Sequence, residues 1–150
     1  MSDLPGDDEV LKTMTAYADE AVDFAAKAMD SELDFSIESL EMVEDILDIL
    51  SNDIPKSRLM RLIGKGPDPG EIVDMSKIWG AYIGEVFRRT WGGTWTANTE
   101  ILKNDWLYAL SIRDNQMFPP AKVFKRLKNG KEDDILLYFQ AFVKILEEEA

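Results

Sequence analysis

The chain has 150 residues, 45% of them hydrophobic, no cysteine, no histidine and a formal net charge of −12 at pH 7. A chain of this length buries roughly 70% of its unfolded surface, so a single globular domain over 1–150, with 1–6 as a frayed tail, is expected to hold without disulfides or a structural metal. Without His or Cys, Ser-His-Asp catalysis, Cys-His catalysis and ordinary zinc sites are excluded, leaving carboxylates, Lys, Tyr, Ser or an oxygen-bound divalent ion as possible chemistry.

The first ten residues, MSDLPGDDEV, have neither the basic start nor the apolar core of a secretory leader. No run approaches the roughly 18 apolar residues of a membrane span. Together with the absence of cysteine, this makes the cytoplasm the expected compartment. Charge is distributed unevenly. Residues 1–54 hold 16 acids and two bases, a net of −14, whereas 55–150 hold 15 bases and 13 acids, a net of +2. Such a field repels nucleic acid and anionic membranes and steers basic partners inward. A solvated face that only maintains solubility fits the same residues.

From about Asp7, read as an N-cap, Val10, Leu11, Met14, Ala18, Ala21, Val22, Ala25 and Met29 follow a helical period. SELDFS is a short extended link ending at a candidate cap, Ser36. In IESLEMVEDILDIL, Ile37, Leu40, Val43, Ile46, Leu47 and Leu50 form one stripe, with Glu38, Glu41, Glu44, Asp45 and Asp48 assigned to the other side. A short helix is expected over 56–63, then an irregular loop, GKGPDPGE. Helical spacing returns from Glu71 to about Thr90.

After Gly92-Gly93 the period changes, and Trp91–Thr99 and Trp106–Ile112 read as an antiparallel two-stranded ribbon. Phe118-Pro119-Pro120 opens another helix, and Asn129-Gly130 closes it as a left-handed C-cap. Glu132, Asp133 and Asp134 then precede a last helix through Ile135, Leu136, Phe139, Phe142, Val143 and Leu146. The expected class is α+β, predominantly helical, with about five or six helices and one ribbon.

YIGEVFRRTWGGTW (82–95) tests the ligand motifs. Gly64-Lys65 is followed by Gly66, so the Walker pattern fails. Gly92-Gly93 follows a helix and precedes a strand, the reverse of a dinucleotide fingerprint. The glycine pair instead suits a sharp turn at a helix end, and Gly80 and Gly84 lie on one face where a neighbour can approach. Glu85 and Arg89 have the spacing of an ordinary surface pair. The carboxylates at 41, 44, 45 and 48 lack EF-hand spacing, which favours a solvated face over a docking face and a docking face over a metal site. Lys122, Lys125, Arg126, Lys128 and Lys131 form a basic cluster expected to face the acidic helices, with a simply solvated cluster as the other reading. Trp79, Trp91, Trp95 and Trp106 fall within 28 residues; their spacing favours the core, with interface anchoring as the other reading.

Three blocks, LDFSIESLEMVEDIL (33–47), YIGEVFRRTWGGTW (82–95) and FPPAKVFKRLKNGKEDDILLYFQAF (118–142), are similar to a family of small uncharacterised bacterial domains of unknown function. Some members of that family resemble immunity proteins of toxin systems. The residues carrying the resemblance are Tyr82, Gly84, Glu85, Gly92, Gly93 and Trp95, and then Phe118, Pro119, Val123, Lys125, Arg126, Leu127 and Gly130. The resemblance supplies no catalytic residues.

The expectation is a non-catalytic acidic protein-binding domain, an immunity or inhibitor protein for a basic toxin domain. Glu38, Glu41, Glu44, Asp45, Asp48, Trp91 and Trp95 are its candidate contacts. No cofactor, metal, nucleic acid or membrane is expected, and the oligomeric state stays open. The alternative is a small enzyme or ligand-binding domain using Glu85 with Arg88 and Arg89.

Overall fold

The computed structural model describes residues 4–54, 69–102 and 105–149. The expected helix at 56–63 and the loop up to residue 68 lie outside them. The architecture is α+β and predominantly helical. In chain order it comprises α1 (Asp7–Ala28), α2 (Ser39–Asn52), α3 (Pro69–Trp91), β1 (Thr94–Leu102), β2 (Asp105–Ile112), β3 (Asn115–Met117), α4 (Pro119–Asn129), a 3-10 turn (Lys131–Asp133) and α5 (Ile135–Glu148).

The centre of the fold is α3. Every residue from Trp79 to Phe87 is buried, as expected of a helix surrounded by packing partners. Three neighbours approach it through small residues. Ala18, Ala21 and Ala25 form a shallow seam on α1 that lets the two helix axes draw together. A side chain at Gly80 would collide with the backbone of Pro119 and Pro120 at the start of α4, and one at Gly84 with the indole of Trp95. The sheet is a meander, β1-β2-β3, antiparallel throughout. Trp95 pairs with Leu110 and Leu110 with Met117, and all three are buried on the helix-facing side. The buried apolar residues of helices and sheet join in one cluster.

Local chemistry explains most helix boundaries. Asp7, Asp8 and Glu9 occupy the first turn of α1, where the exposed N–H groups favour anions; the cap is Gly6 rather than the expected Asp7. Asp30 takes a left-handed φ of 49° after α1, and Ser31 N–H reaches back to Ala25 O at 3.0 Å, closing the helix. The residue before α2 is Glu38, not the expected Ser36, whose Oγ accepts from Ser39 N–H at 3.1 Å in the turn that leads into the helix. Asp134 caps α5, accepting from Leu136 N–H at 2.6 Å.

Other boundaries depart from the sequence reading. Trp91, expected to open the first strand, is the last residue of α3, and β1 starts only after the glycine turn, at Thr94, and runs past Thr99 to Leu102. The helix α3 begins at Pro69, inside the expected loop, since proline at the first turn gives up no hydrogen bond. A third strand follows a two-residue turn at Arg113-Asp114, which lacks the glycine that usually marks such hairpins. Gly130 does have positive φ, 87°, but its ψ of −152° is extended, so α4 ends without the left-handed cap.

Candidate functional site

The glycine turn after α3 folds the chain back onto the helix it has just left. Gly92 and Gly93 have φ of 83° and 138°, conformations that disfavour a side chain. At Gly93 a Cβ would also lie 2.8 Å from Ile112 Cγ1 and 2.9 Å from Ser111 O. The reversal lays the Trp95 ring on Gly84 and brings its Nε1–H to Glu85 Oε2 at 2.9 Å.

Glu85 is therefore not half of a surface pair. It is fully buried and also accepts from Arg88 Nε at 2.5 Å, Arg88 Nη2 at 2.8 Å and Arg89 Nε at 3.3 Å. Burial pushes its pKa up, but the hydrogen bonds from Arg88 and Trp95 and the two guanidinium charges outweigh it. The carboxyl is held below its ordinary value.

Arg89 also lies over the Phe35 ring at 3.6 Å, and Phe35 stacks on Tyr82 at 4.8 Å. The Tyr82 hydroxyl accepts from Phe35 N–H at 2.9 Å and pairs with Ser39 Oγ at 2.7 Å. Tyr82, Gly84, Glu85, Gly92, Gly93 and Trp95 thus close one structural clasp that fastens the α1–α2 link and β1 to α3. The Glu85 carboxylate and the Trp95 indole N–H at its centre are buried.

Of the expected contact residues, Trp95 is 1% exposed and belongs to the core, while Trp91 is half-buried and stacks on Phe87 at 5.5 Å. The acidic helix α2 divides in two. Glu38, Glu41 and Asp45 are exposed. Glu44 and Asp48, expected on the same outward side, both turn toward α4. Glu44, 6% exposed, receives a fork from Arg126, with Nε on Oε1 and Nη2 on Oε2, both at 2.8 Å. Arg126 Nη2 also reaches Asp48 Oδ1 at 2.7 Å, and Lys131 Nζ stands 3.9 Å from Asp48 Oδ2.

That hydrogen bond from Arg126, with the charges of Lys131 and Arg126, holds the Asp48 carboxyl below its ordinary value. Ile135 N–H completes the Glu44 shell at 3.3 Å. Of the basic cluster, Arg126 and, at longer range, Lys131 reach the acidic helix, whereas Lys122 pairs with Asp133 and Lys128 lies over the Phe124 ring. Position 44 is four residues from Leu40 and three from Leu47, a spacing that places it on the buried stripe.

On the opposite side of α2 lies a groove of about 490 Å³ between α1, α2 and α3. Its floor is Phe24, Leu50, Met75, Ile78 and Trp79, and its rim carries Glu20, Asp23 and Lys27. Sequence reasoning missed it, although Glu20, Phe24, Lys27 and Ala28 have the spacing of one helical stripe.

Among the described residues no three His, Cys, Asp or Glu side chains are placed to hold a metal ion, and no helix is long and apolar enough to cross a membrane. Comparison of the chain with protein-family models, with curated proteins and with solved structures finds no match.

Proposed function

We propose that this chain is a non-catalytic protein-binding domain whose acidic first third engages a basic partner. Within that reading it is a cytoplasmic immunity or inhibitor protein that neutralises a basic toxin domain. The observation that supports it is the state of the carboxylates. In residues 4–54 thirteen acidic side chains are exposed beside two bases, Lys12 and Lys27, and only Glu44 and Asp48 are drawn into the fold. A field of one sign raises encounter rates with a basic surface more than it tightens any single contact. The enzyme reading centred on Glu85 has no comparable support, because that carboxylate meets no solvent and accepts from Arg88, Arg89 and Trp95.

The test uses Glu38→Lys, Glu41→Lys and Asp45→Lys together, three exposed positions whose reversal leaves the Arg126 pair untouched. Binding is measured to the protein encoded by the adjacent gene, by stopped-flow association against salt. The expected result is a retained cooperative thermal transition and association at least tenfold slower at low salt. The wild-type rate should fall as the screening length shrinks toward about 8 Å. No association, or a rate indifferent to both salt and the triple reversal, overturns the reading.

A further inference from the structure

The groove between α1, α2 and α3 has the chemistry of a docking site, and its occupant follows from its two parts. The floor is apolar and aromatic. Phe24 stays 39% exposed while its ring meets Trp79 edge-on, with centroids 6.0 Å apart. The rim is acidic, with Glu20 and Asp23 exposed on α1, the helix that also bears Asp7, Asp8, Glu9 and Asp19. An apolar strip edged by carboxylates complements a helix that carries Leu-type side chains beside Lys or Arg.

Lys27 gives the site a resident competitor. Its Nζ sits 3.0 Å from Asp23 Oδ2, and the two side chains are 77% and 63% exposed. An exposed pair of this kind contributes little to stability and exchanges readily. The protein's own ammonium therefore occupies the place an incoming cation would take.

We infer that this groove binds a basic amphipathic helix of the partner protein, with apolar side chains on Phe24, Met75 and Ile78 and a cation displacing Lys27 from Asp23. The inference rests on the proposed acidic binding function and adds the place where the partner is held.

The probe is a fluorescein-labelled 18-residue Leu–Lys amphipathic helix, compared with a Ser–Lys peptide of equal charge and a Leu–Glu peptide. The Leu–Lys peptide should bind the full chain, the Ser–Lys peptide at least tenfold more weakly, and the Leu–Glu peptide not at all. Phe24→Ser should weaken the Leu–Lys peptide at least tenfold. Lys27→Gln, which removes only an exposed pair, should tighten it several-fold. That opposite sign is one that unfolding would not produce.

Equal binding of the Leu–Lys and Ser–Lys peptides, insensitivity to Phe24→Ser, or weakening by Lys27→Gln would overturn the groove assignment. So would self-association that Phe24→Ser abolishes, since the occupant would then be a second copy of the chain. Failure here, with salt-dependent association still slowed by the α2 triple reversal, would leave the acidic binding function standing without the groove.

Discussion

At the scale of single residues, the clasp around Glu85 makes two demands that substitutions can separate. Gly84 must have no side chain, because the Trp95 ring fills the space. Gly84→Ala is expected to cost about 1–3 kcal/mol through overpacking, measured by urea unfolding, while Gly92→Ala, with nothing within 4 Å, bears only the backbone strain of its φ. Glu85 must be charged. Glu85→Leu leaves Trp95 Nε1–H buried without an acceptor, for an expected loss of about 1–3 kcal/mol. Because the folded carboxyl titrates below its unfolded value, its stabilisation is present above the unfolded pKa, near pH 4, and is lost as pH falls through the folded one. Glu85→Gln should therefore flatten the acid limb of a stability–pH profile; an identical acid limb would dissociate Glu85 from that transition.

Between elements, the controlling contact is Arg126 of α4 with Glu44 and Asp48 of α2. Arg126→Ala should destabilise by about 3–5 kcal/mol, because Glu44 is left buried and unpaired. Arg126→Met with Glu44→Leu should recover much of that loss, since the ion pair is costly to desolvate and Arg126 Nη1 finds no hydrogen-bond partner among the described residues. A double variant as unstable as Arg126→Ala would refute this account. Periodicity foretold α1, α2, α3 and α5, the Pro-Pro start of α4, the glycine turn and the β1–β2 pairing, because each is specified by neighbours within a few residues. It misplaces Glu44 and Asp48 because a charged side chain is not always an exposed one, and the compensating guanidinium of Glu44 lies 82 residues along the chain. Trp95 and Glu85 were likewise read apart, since only the reversal at Gly92-Gly93 brings them together. The groove was invisible for a related reason: its walls come from three helices.

For the molecule as a whole, −12 charges on 150 residues imply self-repulsion, most of it within the first third. The melting temperature is expected to rise between roughly 10 and 200 mM NaCl as that repulsion is screened. The Glu38, Glu41 and Asp45 reversal should reduce the slope, and a salt-independent melting temperature would show that the exposed carboxylates do not strain the fold. The Glu44–Arg126 fork also has a consequence in time. At about 5–20 residues per second, the ribosome adds residue 126 roughly 4–16 s after residue 44. Throughout that interval α2 holds a carboxylate meant for the interior with no cation to meet it, so the helix has reason to stay hydrated and undocked. A nascent chain cut short before Arg126 would keep that unpaired charge permanently, and a protease would meet it as an open substrate rather than a finished protein.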